Sequence, residues 1–150
     1  WALQGGGFMN VWPTHYMRIH VEGLRGATSE SGIVVNSGID FVAHPNKWNL
    51  SVGPRYSWGD ARFNGTYFGV NRAEVLASPF IANPFHAGSG SHTAGIEAMA
   101  EYKWMPRWRL TMNAGYNRII GNDANSPIVR QLGSVDQFSV GAGLRFMLQD

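Results

Sequence analysis

An antiparallel transmembrane β-barrel is the fold class this sequence predicts, and three observations carry the prediction. The segment Gln137 to Leu148 alternates with a period of two, setting Phe138, Val140, Ala142, Leu144, Phe146 and Leu148 on one side and Ser139, Gly141, Gly143 and Arg145 on the other. That is one β-strand with an oily face and a thin polar face. Second, the chain is 44% hydrophobic yet has no apolar run near the roughly 18 to 20 residues a membrane helix needs, which excludes a helical membrane protein. Third, only 15% of residues are charged, and of 12 basic residues only Lys47 and Lys103 are lysines. Ordinary soluble domains carry roughly 25% charge. The 19 glycines suit tightly curved strands and crowded barrel interiors.

The elements follow in order along a single domain, residues 1–150. Trp1 to Val11 is the first strand, its pattern blurred by Gly5, Gly6 and Gly7. From about His15 to Gly23, Met17, Ile19 and Val21 oppose Arg18, His20 and Glu22. Ile33, Val35, Ile39 and Phe41 alternate with Asn36, Gly38 and Asp40. After the turn His44-Pro45-Asn46, Trp48, Leu50, Val52, Tyr56 and Trp58 alternate with Asn49, Ser51, Gly53, Arg55 and Ser57. Ala94, Ile96, Ala98, Ala100, Tyr102 and Trp104 then alternate with Gly95, Glu97, Met99, Glu101 and Lys103. Met105-Pro106 turns the chain into Trp108, Leu110, Met112, Ala114 and Tyr116, opposed by Arg109, Thr111, Asn113, Gly115 and Asn117.

Trp12-Pro13, His44 to Trp48 and Trp104 to Trp108 each set a proline turn beside tryptophan, so three like turns are expected at one end. Transmembrane barrels have short periplasmic turns, long extracellular loops and aromatic girdles at both interfaces. Arg25 to Ser31, Gly59 to about Ser91 and Gly121 to about Val135 are therefore expected on the outer side. Seven strands result, an odd number for a single-chain bacterial barrel, and strands N-terminal to Trp1 are expected to complete it. Pro54, outward in mid-strand, removes a ladder hydrogen bond, so a bulge or a locally opened edge is expected there. Ser37 interrupts an oily face.

Three motifs carry a resemblance. Asp60-Ala61-Arg62-Phe63-Asn64-Gly65-Thr66-Tyr67-Phe68-Gly69-Val70 places an acidic residue before a Tyr-Phe-Gly-Val core. Ile120 to Val129 holds a glycine, Asp123 and Ser126-Pro127-Ile128, and Gly143-Leu144-Arg145-Phe146 closes the last strand. Together they resemble, in order and spacing, the MltA-interacting protein family, also called MipA/OmpV. The resemblance implies a barrel of the Gram-negative outer membrane, longer than this chain, with Asp60, Tyr67, Phe68, Gly69, Val70, Asp123, Ser126 and Pro127 as motif residues. It also implies a non-enzymatic scaffold that holds a murein hydrolase, a lytic transglycosylase, near a bifunctional peptidoglycan synthase, a penicillin-binding protein. Ser139, Gly141, Leu144 and Phe146 resemble the C-terminal signal that such barrels offer to their assembly machinery, although Met147 to Asp150 extend past the aromatic residue.

Reactive chemistry has little support. His15, His20, His44, His86 and His92 show no metal-ligand spacing. A triad from Ser91, His92 and Asp60 would need a geometry the sequence does not show. Gly5 to Gly7 lack the Lys-Ser/Thr of a phosphate loop. Asn122, Asp123 and Asn125 lack the spacing and closing Glu of a calcium loop, so a polar turn is the plain reading. No cofactor or metal is expected, and a net charge of +2, scattered along the chain, does not argue for nucleic acid. No cysteine is present, so there is neither a disulfide framework nor thiolate chemistry.

The polar face carries Arg18, His20, Glu22, Asp40, Arg55, Glu97, Glu101, Lys103, Arg109 and Arg145. These either satisfy one another in a filled lumen or line a water-filled, solute-selective pore. Gly59 to Ser91 is either a packed cap or a ligand or adhesin surface. The alternative functions are a small-solute porin or an adhesin, and the alternative fold is a soluble lipocalin-like barrel. Lys47 and Arg107, exposed cations beside the turn tryptophans, are the candidate contacts for a periplasmic partner. Outer-membrane lipid is the expected surrounding.

Overall fold

The computed structural model describes residues 4–26, 32–77 and 83–148. Seven strands form one sheet in plain sequence order, every neighbouring pair antiparallel. They are β1 Gln4–Thr14, β2 Met17–Gly26, β3 Ile33–Ala43, β4 Trp48–Gly59, β5 Gly90–Met105, β6 Trp108–Ile119 and β7 Asp136–Phe146. Between β4 and β5 lie two helices, α1 Ala61–Phe68 and α2 Arg72–Ala77. Between β6 and β7 lie a 3-10 turn, Gly121–Asn125, and a π-turn, Ile128–Leu132. None of these helices is long and apolar enough to cross a membrane.

One local expectation needs correction, and at Pro54 the locally opened form, one of the two expected, is the one found. Trp12 and Pro13 are not a turn: both lie in β1, and the chain reverses at His15-Tyr16. Proline is tolerated because it lies in an irregular stretch where β1 and β2 do not pair, so its missing N–H breaks no ladder bond. The β1–β2 register shifts between Val11 and Thr14, across the proline. Pro54 produces no bulge. Its strand stays paired with β5 through Pro54↔Ile96, while pairing with β3 lapses after Gly38↔Arg55 and resumes in the same register at Phe41↔Val52. The ladder opens locally, as the lost donor requires. Gly53 then lets the backbones close in, since a Cβ there would collide with the Ile39 carbonyl oxygen. Ser37 directs its hydroxyl at the Tyr56 carbonyl, at 3.4 Å.

Cross-strand register sorts side chains onto two faces. One bears Met17, Ile19, Ile39, Phe41, Leu50, Val52, Ala98, Leu110, Met112, Val140, Ala142, Leu144 and Phe146; the other bears Arg18, Glu22, Asp40, Arg55, Glu97, Glu101, Lys103, Arg109 and Arg145, while Arg118 and Asp136 pair on the first face at its long-connection end. The sheet curls with the polar face inside. Phe8 on β1 and Asn113 on β6 line one cavity, although five strand spacings would part them by about 24 Å in a flat sheet.

Outward aromatics gather at the two ends. Near the short turns, Trp48 packs on Tyr102 with centroids 4.7 Å apart and Trp108 on Phe146 at 5.1 Å. Near the long connections, Tyr116 packs on Phe138 at 5.0 Å, with Tyr56 and Trp58 exposed on β4. From Trp108 to Tyr116 is about 27 Å along the strand, or roughly 20 Å of height at a tilt of ~40°, close to the ~25 Å apolar band of an outer-membrane barrel. Among the described residues β1 and β7 pair with β2 and β6 alone, so the sheet is open.

Candidate functional site

The inner face is sorted by charge along the strands. On β2 to β5, the fully buried Asp40 is the hub. Arg18, directly opposite on β2, donates to Asp40 Oδ2 from Nε at 3.0 Å and Nη2 at 2.5 Å. Arg55 on β4 donates to Asp40 Oδ1 at 2.6 Å and to Glu97 on β5 at 2.8 Å. His20 Nδ1 lies 3.4 Å from Asp40. Room for this cluster comes from glycine, because a Cβ at Gly38 would strike the His20 ring and the Arg55 guanidinium. Ser57 donates to Asn36 at 2.7 Å, and Asn36 reaches Glu22 at 3.4 Å. Beside it lies a cavity of about 440 Å3, touched by Phe8, Asn10, Glu22 and Met99. Breaking a buried pair of this kind costs roughly 3 to 5 kcal/mol, so the cluster locks the register of four strands.

Toward the short turns the balance changes. Lys103 faces Arg109 and Arg109 faces Arg145 across β5, β6 and β7. Among the described residues one carboxylate serves this row: Glu101 lies 3.1 Å from Arg145 and 3.9 Å from Arg109. The mutual satisfaction expected of a filled lumen thus describes β2 to β5 but not this end.

The long connections fold into a cap at the opposite end. Asp60 is the N-cap of α1, its carboxylate accepting from the Phe63 N–H at 2.8 Å. Burial pushes the Asp60 carboxyl up, but the backbone N–H groups of Phe63, Ile33 and Arg62, with the Arg62 charge, outweigh it and hold the group below its usual range. Gly32, at φ 61, brings the chain so close that a Cβ would strike Asp60 and the Phe63 backbone. Buried Asn64 donates to the Gly88 carbonyl at 2.8 Å, tying α1 to the approach of β5. Gly69 ends α1, its N–H reaching Gly65 at 3.0 Å. Val70 and Phe85 exchange two backbone bonds of 2.9 Å.

The two motif stretches meet here. Buried Ser126, 58 residues further on, donates from Oγ to the Phe68 carbonyl at 2.7 Å. Pro127 leads into the π-turn, which buries Val129. Phe63 stacks near Tyr67 at 4.7 Å and near the His92 ring at 5.3 Å, with Phe68 6.2 Å from His92. Asp123 is buried with both carboxylate oxygens lacking a partner, and burial pushes its carboxyl up to about 6. The stretch is the turn expected of it, but Asp123 within that turn is shut off from solvent.

These placements divide the sequence candidates. Asp60, Phe68, Gly69, Val70 and Ser126 hold the cap together, and Tyr67 is half exposed upon it. Arg18, Glu22, Asp40, Arg55, Glu97, Glu101, Arg109 and Arg145 share the inner face, as does Gly141, while Leu144 and Phe146 face outward. Lys47 and Arg107 sit exposed in the short turns, and Pro79, Phe80, Gln149 and Asp150 lie outside the described residues. Asn64 was not singled out from sequence, although its place inside the motif was a signal. No group of three or more potential metal ligands forms among the described residues.

Comparison with known proteins agrees with this architecture. Residues 1–148 match the family described as MltA-interacting protein MipA. Outer membrane protein OmpV of Vibrio cholerae serotype O1 is 31% identical over 90 residues, covering 60% of this chain and 32% of the relative. The chain thus spans about a third of that relative's length. No solved structure matches. A family match across nearly the whole chain, an outer-membrane relative and an antiparallel sheet girdled by aromatics converge: the chain belongs to the MltA-interacting protein MipA family and resides in the outer membrane.

Proposed function

We propose that this chain contributes a non-enzymatic docking platform for a murein transglycosylase at the inner surface of the outer membrane, with a penicillin-binding synthase as the second client. Membership of a family described as MltA-interacting is the observation that carries the reading. Support comes from the basic short-turn end, the periplasmic end of a bacterial barrel. Lys47 accepts from the Lys103 N–H at 2.8 Å and Arg107 from the Met147 N–H at 2.9 Å through their backbone carbonyls, so both cations are displayed from fixed turns. Such turns offer far less than the roughly 800 Å2 per partner of a standard interface. This chain's share of the affinity is therefore small and mainly electrostatic steering.

Pull-down of a lytic transglycosylase by the detergent-solubilised protein tests the platform, with Lys47→Glu/Arg107→Glu expected to lower recovery, most at low salt. Failure of the folded wild type to bind would reject the platform. Unchanged binding by the double variant would reject these two contacts. The cavity of about 440 Å3 on the polar face favours a second reading, a small-solute pore. Conductance in a planar bilayer without transglycosylase binding would select it.

A further inference from the structure

We propose that the short-turn end of the inner face is a binding site for small polyanions, with carboxylate or phosphate oxygens received by Lys103 and Arg145 on either side of Arg109. Register places the three abreast on successive strands, within a span of about 10 Å at ~4.8 Å per strand. Like charges directly opposite repel, and Glu101 is the one carboxylate within ion-pair distance of the row among the described residues. Its contact with Arg109 is long, at 3.9 Å. Arg109 Nη1 is closed off from solvent and has no acceptor, and a buried guanidinium N–H without an oxygen partner is costly.

Glu101 apart, the neighbours of the row are neutral. Gly143 and Gly141 precede Arg145 on the same face, and Thr111 turns its hydroxyl away to the Gly143 carbonyl at 3.1 Å. An anion with several oxygens would bind the exposed heads of Lys103 and Arg145 and screen the three positive charges from one another. Arginine and lysine together suit oxyanions, the first through its planar fork and the second as a point charge. The site needs no protein partner and stands or falls independently of the docking platform.

Calorimetric titration of the protein, purified from outer membranes in a non-ionic detergent, tests the site with citrate and inorganic phosphate as probes at low salt. Saturable binding is expected, weakened roughly tenfold or more by Lys103→Gln/Arg145→Gln, since each removes a charge-assisted contact. Arg118→Gln, on the outward face at the far end, is expected to bind as wild type. Tighter citrate would identify a polycarboxylate site and tighter phosphate a phosphoryl site, either result supporting the proposal. No saturable binding by folded wild type up to about 10 mM, or undiminished binding by the double variant, overturns it. Should the double variant not fold, Lys103→Gln alone, an exposed side chain, is expected to weaken binding by roughly threefold, and no change would be equally decisive.

Discussion

Asp123 shows how burial can invert the role of a polar residue. Asparagine and aspartate in a short connection ordinarily mean a solvated turn, yet this carboxylate is enclosed beneath the cap with neither oxygen paired. Its carboxyl rises from 3.8 to about 6 through loss of solvation, so the folded cap binds a proton more tightly than the unfolded segment. The stability this contributes is present below pH 3.8 and is lost as pH rises through about 6. Asp60 works in the opposite direction: its contribution is present above 3.8 and lost as pH falls through its lowered folded value. Asp60 therefore adds no pH dependence between pH 4.5 and 8, and the difference between wild type and Asp123→Asn reads the Asp123 effect apart from other groups that titrate there. Relative to that variant, proteolysis of the wild-type cap should accelerate across that range. Asp123→Asn should flatten the dependence and protect the cap at pH 8. Parallel pH profiles for the wild type and Asp123→Asn would contradict the assignment.

At the scale of the element, β7 is the strand whose alternation was plainest and whose faces are simplest to test. Ala142 points outward near its middle, opposite Met112, and Ser139 points inward, opposite Gly115. Arginine at Ala142 meets lipid near the midplane and should cost roughly 2 to 4 kcal/mol, whereas arginine at Ser139 enters polar surroundings and should cost much less. Folding into lipid vesicles measures both, and equal losses would refute the face assignment. The cap offers a different lesson. Gly59 to Ser91 contains no alternation, and its helix α1 was not anticipated, although Asp60, the residue that caps it, was already marked as a motif residue. The N-cap signal was legible, but the eight-residue helix Ala61–Phe68 is too short to stand without tertiary support. That support comes from Asn64, from the Ser126 bond to Phe68 and from the His92 ring.

On the scale of the whole molecule, the open sheet sets the pattern of stability. Strands β3, β4 and β5 have neighbours on both sides, and the Arg18–Asp40–Arg55–Glu97 chain crosses four strands. β1 and β7 each leave one edge of backbone donors and acceptors without a ladder. In lipid such groups need partners. Hydrogen exchange of the polypeptide 1–150 in detergent should run roughly tenfold or more faster in β1 and β7 than in β4 and β5. Uniform protection across all seven strands would mean that the outer edges find partners, through closure or association.

Sequence alone determined the strand count, the order of strands and which side chains share a face, because a period of two records the environment on each side of a strand directly. Boundaries moved by only a few residues, as at β5, which begins at Gly90 rather than Ala94. The turn assigned to Trp12-Pro13 moved because proline's cost depends on whether its N–H would enter a ladder, and only the assembled sheet shows that β1–β2 pairing lapses between Val11 and Thr14. Tertiary structure also decided how the charges are arranged. Composition records nearly equal numbers of each sign, but register carries Arg18 to Asp40 and Arg55 to Glu97, leaving Lys103, Arg109 and Arg145 abreast with Glu101 between two of them. The meeting of Phe68 with Ser126 belongs to the same class, since a contact across 58 residues depends on the path of the whole chain and leaves no local pattern.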